Sequence, residues 1–245
     1  MVDALQMFNA RMTSYSNVRF NFIGTGIKAF LIFFIYPILT LLTAYTTVPF
    51  LSRANQKFII NNYRLGTAEF HFDSSVGPFY IAFLISLAWI VVVGGLSITI
   101  TGFNFLEFAH AMENLEHDPT GAMSLIGMFY LLFFVALMPA AMIYFAMIRN
   151  IVFNATTLTG GHRFNSTVSP GMLLWLALSN FVVVLCTVGL MIPWAQVRMS
   201  KYLAENTALI PAGSLDDFIG TQQSETSAFG DAFTDLESID VGLPI

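Results

Sequence analysis

The sequence predicts a mainly α-helical integral membrane protein, with four transmembrane helices and short extramembrane β-strands. Of its 245 residues, 56% are hydrophobic and 10% are charged, and the mean hydropathy is +0.71. A typical soluble domain has about a quarter charged residues. Four apolar runs are long enough to cross the roughly 30 Å hydrocarbon layer of a bilayer. The helices are built from a repeated unit of short strand, helix, proline anchor and basic exit segment.

The two clearest copies of this unit align without a gap. Placing residues 43–62 on residues 187–206 matches Thr43 with Thr187, Pro49 with Pro193, Lys57 with Lys201 and Asn62 with Asn206. A weaker third copy ends at Arg149 and Asn154. Short alternations of aromatic residues, at residues 19–22, 69–72 and 163–166, also precede three of the four apolar runs. Repeats of this kind indicate that one supersecondary unit recurs along the chain.

The chain is expected to contain three regions. Residues 1–26 form an N-terminal extramembrane segment, without an apolar core of signal-peptide length. Residues 27–203 form the four-span membrane domain, whose spans are residues 27–51, 78–103, 123–147 and 171–197. Residues 204–245 form an acidic C-terminal tail. Its apolar residues are spaced as in a segment that docks on a folded body, and a disordered tail rarely carries so many.

The orientation of a four-span chain is not settled by counting charges. The ten Lys and Arg residues divide equally between its two sides, so the positive-inside rule gives a tie. Residues 52–77 and 148–170 hold all the basic residues of their side, whereas the loop 104–121 holds none. This difference favours both termini outside the cytoplasm. Four spans also place Lys57 and Lys201 on opposite sides, which makes the first and last copies inverted repeats.

Three segments of the sequence carry a family resemblance. They are L-C-T-V-G-L-M-I-P-W-A-Q-V-R at residues 185–198, K-Y-L at residues 201–203 and S-A-F-G-D-A-F at residues 227–233. Together they resemble the YjgN family of bacterial multi-pass inner-membrane proteins, and the resemblance covers residues 19–243. It implies a location in the bacterial inner membrane and a helical architecture, and it supplies no activity or catalytic residues. The first copy departs from the P-W-x-x-x-R signature, because Phe50 replaces the tryptophan and Arg53 comes one position early.

The sequence favours a protein that is not an enzyme. It contains no Gly-rich phosphate loop and no nucleophile elbow. No Asp, Glu, Arg or His lies within the four predicted spans, where ion-coupled transporters place such groups. A membrane scaffold or assembly subunit is therefore the favoured function, and an oligomeric pore, channel or transporter for a small solute is the alternative. Thr40, Thr43 and Thr47 come nearest to a pore-lining stripe, but membrane threonines more often hydrogen-bond locally.

One group of side chains could hold a metal ion. His110, Glu113 and His117 fall at positions i, i+3 and i+7 and would share a helix face. Imidazole and carboxylate groups at this spacing can bind a divalent metal such as zinc. The residues also fit an acidic, solvated loop that happens to contain two histidines. This second interpretation is favoured, so no metal or cofactor is expected.

Basic and aromatic residues follow the apolar runs at the depth where lipid headgroups are expected. They are Lys57, Arg149, Trp194, Arg198 and Lys201. Recognition of anionic lipids and ordinary snorkelling of long side chains both explain this placement. Membrane lipids are therefore expected partners, while a small-molecule ligand is not identified.

Further copies of the same chain are also expected partners. In a four-span chain the short strands lie on both sides of the membrane, cannot form one sheet and leave unpaired edges. Ala82 and Ser86 place small residues four apart on the second span, where another helix could approach. These features and the apolar residues of the tail favour a homo-oligomer. Nucleic acid is excluded as a partner, because the net charge is −5 and the sequence has no strongly basic segment.

Overall fold

The computed structural model describes residues 12–16, 18–113, 117 and 119–224. Its strands are β1 Ser14–Tyr15, β2 Val18–Phe22, β3 Tyr63–Leu65, β4 Ala68–Phe72, β5 Thr156–Leu158, β6 His162–Ser166 and β7 Thr207–Ile210. Its helices are α1 Gly26–Leu42, α2 Val48–Asn62, α3 Gly77–Thr101, α4 Phe105–Glu113, α5 Pro119–Asn154, α6 Pro170–Cys186, α7 Ile192–Glu205 and α8, residues 215–224. The described chain is mainly helical, as predicted.

The structure divides into two compact units. The first comprises the described residues up to Val76, the segment Val152–Asn165 and the described residues from Ala208 onwards. It therefore contains α1, α2, α8 and nearly all of the sheet. The second comprises Gly77–Ile151 and Ser166–Thr207, and contains α3, α4, most of α5, α6 and α7.

The strands form one seven-stranded sheet in the order β1 to β7. Antiparallel pairing places Phe20 opposite Leu65 and Phe70 opposite Leu158. In β2, β4 and β6 the first and last residues are buried, whereas the second and fourth are exposed. This alternation is the period of two expected for a sheet with one covered face. The expectation that the strands could not share one sheet is wrong, because the helices between them reverse direction.

The first reversal separates α1 from α2. Helix α1 ends at Leu42, and the turn that follows places Ala44 and Tyr45 at φ of 48° and 64°. Helix α2 then returns towards the sheet, where the Phe58 ring lies 6.0 Å from the ring of Phe22. The predicted continuous helix over residues 27–51 is therefore wrong. A left-handed turn interrupts the apolar run, and α1 and α2 form a helical hairpin.

The second unit contains a similar hairpin. Helix α6 ends at Cys186, and Val188 and Gly189 adopt φ of 50° and 89° before α7 begins. The Asn180 amide donates to the Ala195 carbonyl at 3.2 Å and joins the two helices. The predicted continuous helix over residues 171–197 is therefore wrong as well, because a turn separates α6 from α7.

Helices α3 and α5 are the two described helices that are long and apolar enough to cross a membrane. They include the predicted spans 123–147 and almost all of 78–103. In α3, Ala82 and Ser86 are buried, and Gly94 lies where a Cβ atom would be 3.6 Å from the Cβ of Ala136 in α5. The helix α5 continues through Pro139. The small residues of α3 therefore serve contacts within this chain.

The beginning of the C-terminal tail docks on the first unit. Gln222 is buried, and its Oε1 atom accepts hydrogen bonds from the backbone N–H groups of Thr67 and Ala68 at 2.9 and 3.0 Å. The ring of Phe218 contacts the imidazole of His162, with centroids 4.7 Å apart. Docking is thus confirmed for residues 215–224, whereas the tail residues from 225 onwards lie outside the described part of the chain.

These contacts bear on the expected homo-oligomer. Strand pairing, the docking of residues 215–224 and the packing of the small residues in α3 all take place within one chain. Oligomerisation stays a prediction, and the strands from which it was argued are neighbours in one sheet of a single chain.

Replacing Gln222 with alanine should loosen the attachment of α8. The backbone N–H groups of Thr67 and Ala68 would lose their acceptor, and the buried N–H of Ala68 left unsatisfied costs about 1–3 kcal/mol. We expect faster limited proteolysis between residues 205 and 224, followed by mass spectrometry. Thr221→Ala is the matched control, because its exposed hydroxyl donates to the Asp217 carbonyl of the same helix. Equal cleavage rates in the two variants would contradict this attachment.

Candidate functional site

An apolar groove lies between the sheet and the ends of two helices in the first unit. Its volume is about 460 Å³. Most of its lining is apolar: Phe20, Phe70 and Phe164 from the sheet, Ile59 and Ile60 from α2, and Val152 and Phe153 from α5. The remaining lining residues carry polar groups and are Thr13, Gln56, Tyr63 and Thr156. This combination of a mainly apolar wall and a few polar groups is typical of small-molecule sites.

Three stacked rings form the sheet side of the apolar groove. The ring centroids of Phe20 and Phe70 are 6.2 Å apart, and those of Phe70 and Phe164 are 6.1 Å apart. Each phenylalanine is the middle residue of its strand and lies on the same face as the buried ends. Burial also raises the pKa of the Tyr63 hydroxyl above its ordinary value. That group therefore stays protonated at neutral pH and can donate a hydrogen bond.

The sequence did not identify this site. It showed the aromatic alternation, which predicted the strands, but gave no sign that the three middle rings would stack. The groove residues of α2 and α5 were treated as parts of the two segments, 52–77 and 148–170, that follow predicted spans. Their only signal was apolar character near the ends of helices, which packing against any neighbour would also explain.

The two arginines among the predicted lipid-contact residues make contacts within the chain, and their contact with lipid stays a prediction. Arg198 donates from Nη1 to Ser179 Oγ at 2.6 Å and to Asn180 Oδ1 at 3.0 Å. Its guanidinium lies 5.4 Å from the centre of the Trp194 ring, within the range of a cation–π interaction. Arg149 donates to Thr207 Oγ1 at 3.1 Å. These arginines hold parts of the second unit together.

The two predicted lysines remain exposed. Lys57 lies on α2, and Lys201 lies on α7 with its Nζ atom 3.8 Å from Glu205 Oε1. An exposed pair at this distance contributes little stability. Both side chains are therefore available to lipid headgroups, and their role in lipid recognition stays a prediction.

The threonines of the first hairpin bond to one another and to the backbone. Thr40 Oγ1 donates to the Tyr36 carbonyl at 2.8 Å, and the hydroxyls of Thr43 and Thr47 lie 2.8 Å apart. Thr47 also donates to Thr40 Oγ1 at 3.3 Å. The hydroxyls thus stabilise the hairpin turn, which agrees with local hydrogen bonding.

The candidate metal residues are only partly brought together. His110 Nδ1 lies 3.7 Å from Glu113 Oε2, and both side chains are about three-quarters exposed. His117 lies beyond the end of α4. Among the described residues, which omit 114–116 and 118, no three His, Cys, Asp or Glu side chains are grouped as metal ligands. The zinc site stays a hypothesis.

Removing the Arg198 side chain should destabilise the second unit. Arg198→Ala would take a charged donor from Asn180, a buried residue that also links α6 to α7. Hydrogen bonds to charged groups contribute about 1.5–3 kcal/mol, so we expect a clear fall in the thermal unfolding temperature. Lys201→Ala, on the same helix, is the control and should change it little. An unfolding temperature for Arg198→Ala that is no lower than that of Lys201→Ala would contradict a stabilising role of the Arg198 contacts.

Comparisons with known proteins agree with a membrane protein. The family model described as a bacterial protein of unknown function, DUF898, matches residues 1–236. Inner membrane protein YjgN of Salmonella typhimurium is 33% identical over 88 residues, which are 36% of this chain and 22% of that relative. The match thus spans less than a quarter of the relative's length, and no solved structure matches the chain. The chain belongs to the DUF898 family of bacterial proteins of unknown function, and its resemblance to the YjgN family is confirmed.

Proposed function

We propose that this chain is a multi-pass inner-membrane protein with two spans and two re-entrant helical hairpins, in place of four full spans. The spans are α3 and α5, and the hairpins are α1–α2 and α6–α7. The observation that carries the proposal is the single sheet. Strand β4 pairs with β5, so the chain that leaves β4 through α3 returns through α5 to the neighbouring strand. Strand β2 pairs with β3 in the same way across the first hairpin.

The geometry of the hairpins suits partial insertion into a bilayer. Each first helix, α1 or α6, is about 25 Å long at 1.5 Å per residue, which is short of the hydrocarbon thickness of about 30 Å. The turns expose apolar side chains, including Leu42, Val188 and Leu190. Their backbone remains hydrogen-bonded, since Tyr45 N–H donates to the Thr40 carbonyl and Gly189 N–H to the Val184 carbonyl, both at 2.9 Å. Irregular backbone inside a membrane requires such internal partners.

The charge distribution supports a cytoplasmic sheet. Residues 102–118, which connect α3 to α5, hold none of the ten Lys and Arg residues. In the proposed topology all ten lie on the side of the sheet, with Arg149 near the end of α5. Basic residues concentrate on the cytoplasmic side of inner-membrane proteins. Both termini are therefore cytoplasmic in this proposal, which reverses the orientation favoured for four spans.

The two hairpins also support a duplicated unit. A short strand precedes each hairpin. The second residue of each returning helix is a proline, Pro49 in α2 and Pro193 in α7. Ile23 N–H donates to the Asn62 carbonyl and Thr167 N–H to the Asn206 carbonyl, both at 3.0 Å. Because β2 and β6 belong to one sheet, the two copies in this proposal begin on the same side of the membrane. They are not inverted.

The function that this architecture supports best is that of a non-enzymatic scaffold or assembly subunit. Three helical connections of the chain, α1–α2, α3–α5 and α6–α7, return to one sheet. In this proposal the membrane helices hold that sheet at the cytoplasmic surface. The outer face of that sheet carries exposed polar residues such as Arg19, Glu69 and Arg163. The threonines nearest to a pore-lining stripe are occupied in the hairpin turn. A structural role therefore has more support than conduction.

Cysteine accessibility distinguishes this topology from four spans. In a Cys186→Ser background, Glu107→Cys should react with a membrane-impermeant maleimide added to intact spheroplasts. Ser75→Cys and Ser214→Cys should react only after the membrane is opened. Ser214 is decisive because it follows the second hairpin, and a fourth full span would place it on the same side as Glu107. Reaction of Ser214→Cys in intact spheroplasts, with Ser75→Cys protected, would overturn the two-hairpin topology.

Solute flux distinguishes the scaffold from a pore. Purified chain reconstituted into liposomes should release no trapped ions or small fluorescent solutes above the rate of protein-free liposomes. The scaffold hypothesis predicts this result because the hydroxyls of Thr40, Thr43 and Thr47 are hydrogen-bonded within the first hairpin. A matched control is protein denatured before reconstitution, which reveals leakage caused by the procedure. Protein-dependent release that the denatured sample lacks would favour the pore.

A further inference from the structure

The apolar groove lies where a proposed membrane span joins the sheet. Val152 and Phe153 line it and belong to the last turn of α5, while Thr156 begins the next strand. Ile59 and Ile60 line it from the end of α2, the returning helix of the first hairpin. If α5 spans the membrane, its last turn lies at the cytoplasmic surface of the bilayer. This placement rests on the topology given under the proposed function.

The shape and chemistry of the apolar groove suit an elongated apolar molecule. The rings of Phe20, Phe70 and Phe164 follow one another across three strands, with neighbouring centroids 6.2 and 6.1 Å apart. A row of aromatic faces binds a flexible hydrocarbon chain through burial and dispersion without needing a fixed conformation of the chain. Gln56, which lines the same groove, brings one amide group that can donate to an ester carbonyl.

We propose that the apolar groove binds one acyl chain of a membrane phospholipid. Acyl chains are the apolar molecules present at the membrane surface, and the groove is continuous with the end of a helix that they would surround. Its lining carries no Asp, Glu, Lys or Arg. The lining therefore matches the hydrocarbon part of a lipid and leaves the headgroup outside.

The competing occupant is a segment of this chain. Thr13 lines the groove, which makes the N-terminal segment one candidate. The tail beyond α8 is a second candidate, because α8 docks on the same unit. Continuity with α5 favours lipid over either segment, and the experiment must separate these occupants.

Photolabelling of the full chain tests the proposal. The protein is reconstituted into nanodiscs of phosphatidylethanolamine and phosphatidylglycerol, a small fraction of which carries a diazirine in one acyl chain. After illumination, mass spectrometry maps the labelled peptides. Lipid around the protein should label the exposed apolar surface of α3. Lipid inside the groove should also label residues 56–63 and 152–156.

Filling the groove separates bound lipid from surrounding lipid. Ile60→Trp and Gln56→Trp each place a large side chain in the groove, and we expect labelling of residues 152–156 to fall at least fivefold while labelling of α3 is unchanged. Leu51→Trp is the matched control, because Leu51 is a half-buried residue of the same helix outside the groove lining. It should retain the wild-type pattern. Thermal unfolding identifies any variant that does not fold, and the other filling variant then gives the result.

Two results would overturn the lipid site. One is the absence of label at residues 56–63 and 152–156 in the wild type, as expected if a segment of the chain fills the groove. The other is equal groove labelling in the wild type and in a folded, groove-filled variant. Cysteine accessibility measures the topology independently. A protein with protected Ser214→Cys and an unlabelled groove would therefore overturn the lipid site alone, whereas reactive Ser214→Cys would overturn the topology.

Discussion

The antiparallel pairing of β4 with β5 is the constraint on which the rest of this structure depends. These strands are separated in sequence by α3, α4 and α5, yet Phe70 lies opposite Leu158 and Asp73 N–H donates to the Ala155 carbonyl at 3.2 Å. A helix pair that starts and ends at neighbouring strands must return to where it began. The apolar segments of α1–α2 and α6–α7 also connect neighbouring strands, and each returns to the sheet by forming a hairpin. Strand pairing thus limits where each apolar segment can begin and end.

The long helices were predictable, whereas the hairpin turns were not. Uninterrupted apolar character located α3 and α5, because composition decides where a helix can be covered by lipid. The turns lie within equally apolar stretches, and in the first one Ala44 and Tyr45 adopt positive φ without a glycine to indicate it. Gly189 was the only such signal in the second turn. Pro49 and Pro193, interpreted as anchors, lie in the first turn of α2 and α7, a favoured position for proline.

The candidate site depends on contacts that short-range patterns do not record. The aromatic alternation correctly located β2, β4 and β6, but the stacking of Phe20, Phe70 and Phe164 also requires the order of strands in the sheet. The assignment of the Lys and Arg residues to one or the other side of the membrane also depends on the order of the strands. A four-span chain divides them equally between the two sides, whereas the proposed two-span topology puts all ten on one side. One change in connectivity therefore alters both the orientation and the interpretation of the site.

The exposure of the apolar helices is the strongest physical argument that lipid surrounds this chain. In the most apolar windows of α3 and α5, only 11% and 17% of the residues are buried within the protein. The core helix of a soluble protein would be mostly buried. Exposing apolar surface to water costs about 25 cal/mol per Å². The exposed apolar side chains of these two helices would therefore strongly destabilise the fold in water. The exposed residues of the hairpin turns, such as Val188 and Leu190, face the same cost. A bilayer would remove this cost for the two long helices, and in the proposed topology it would do the same for the turns.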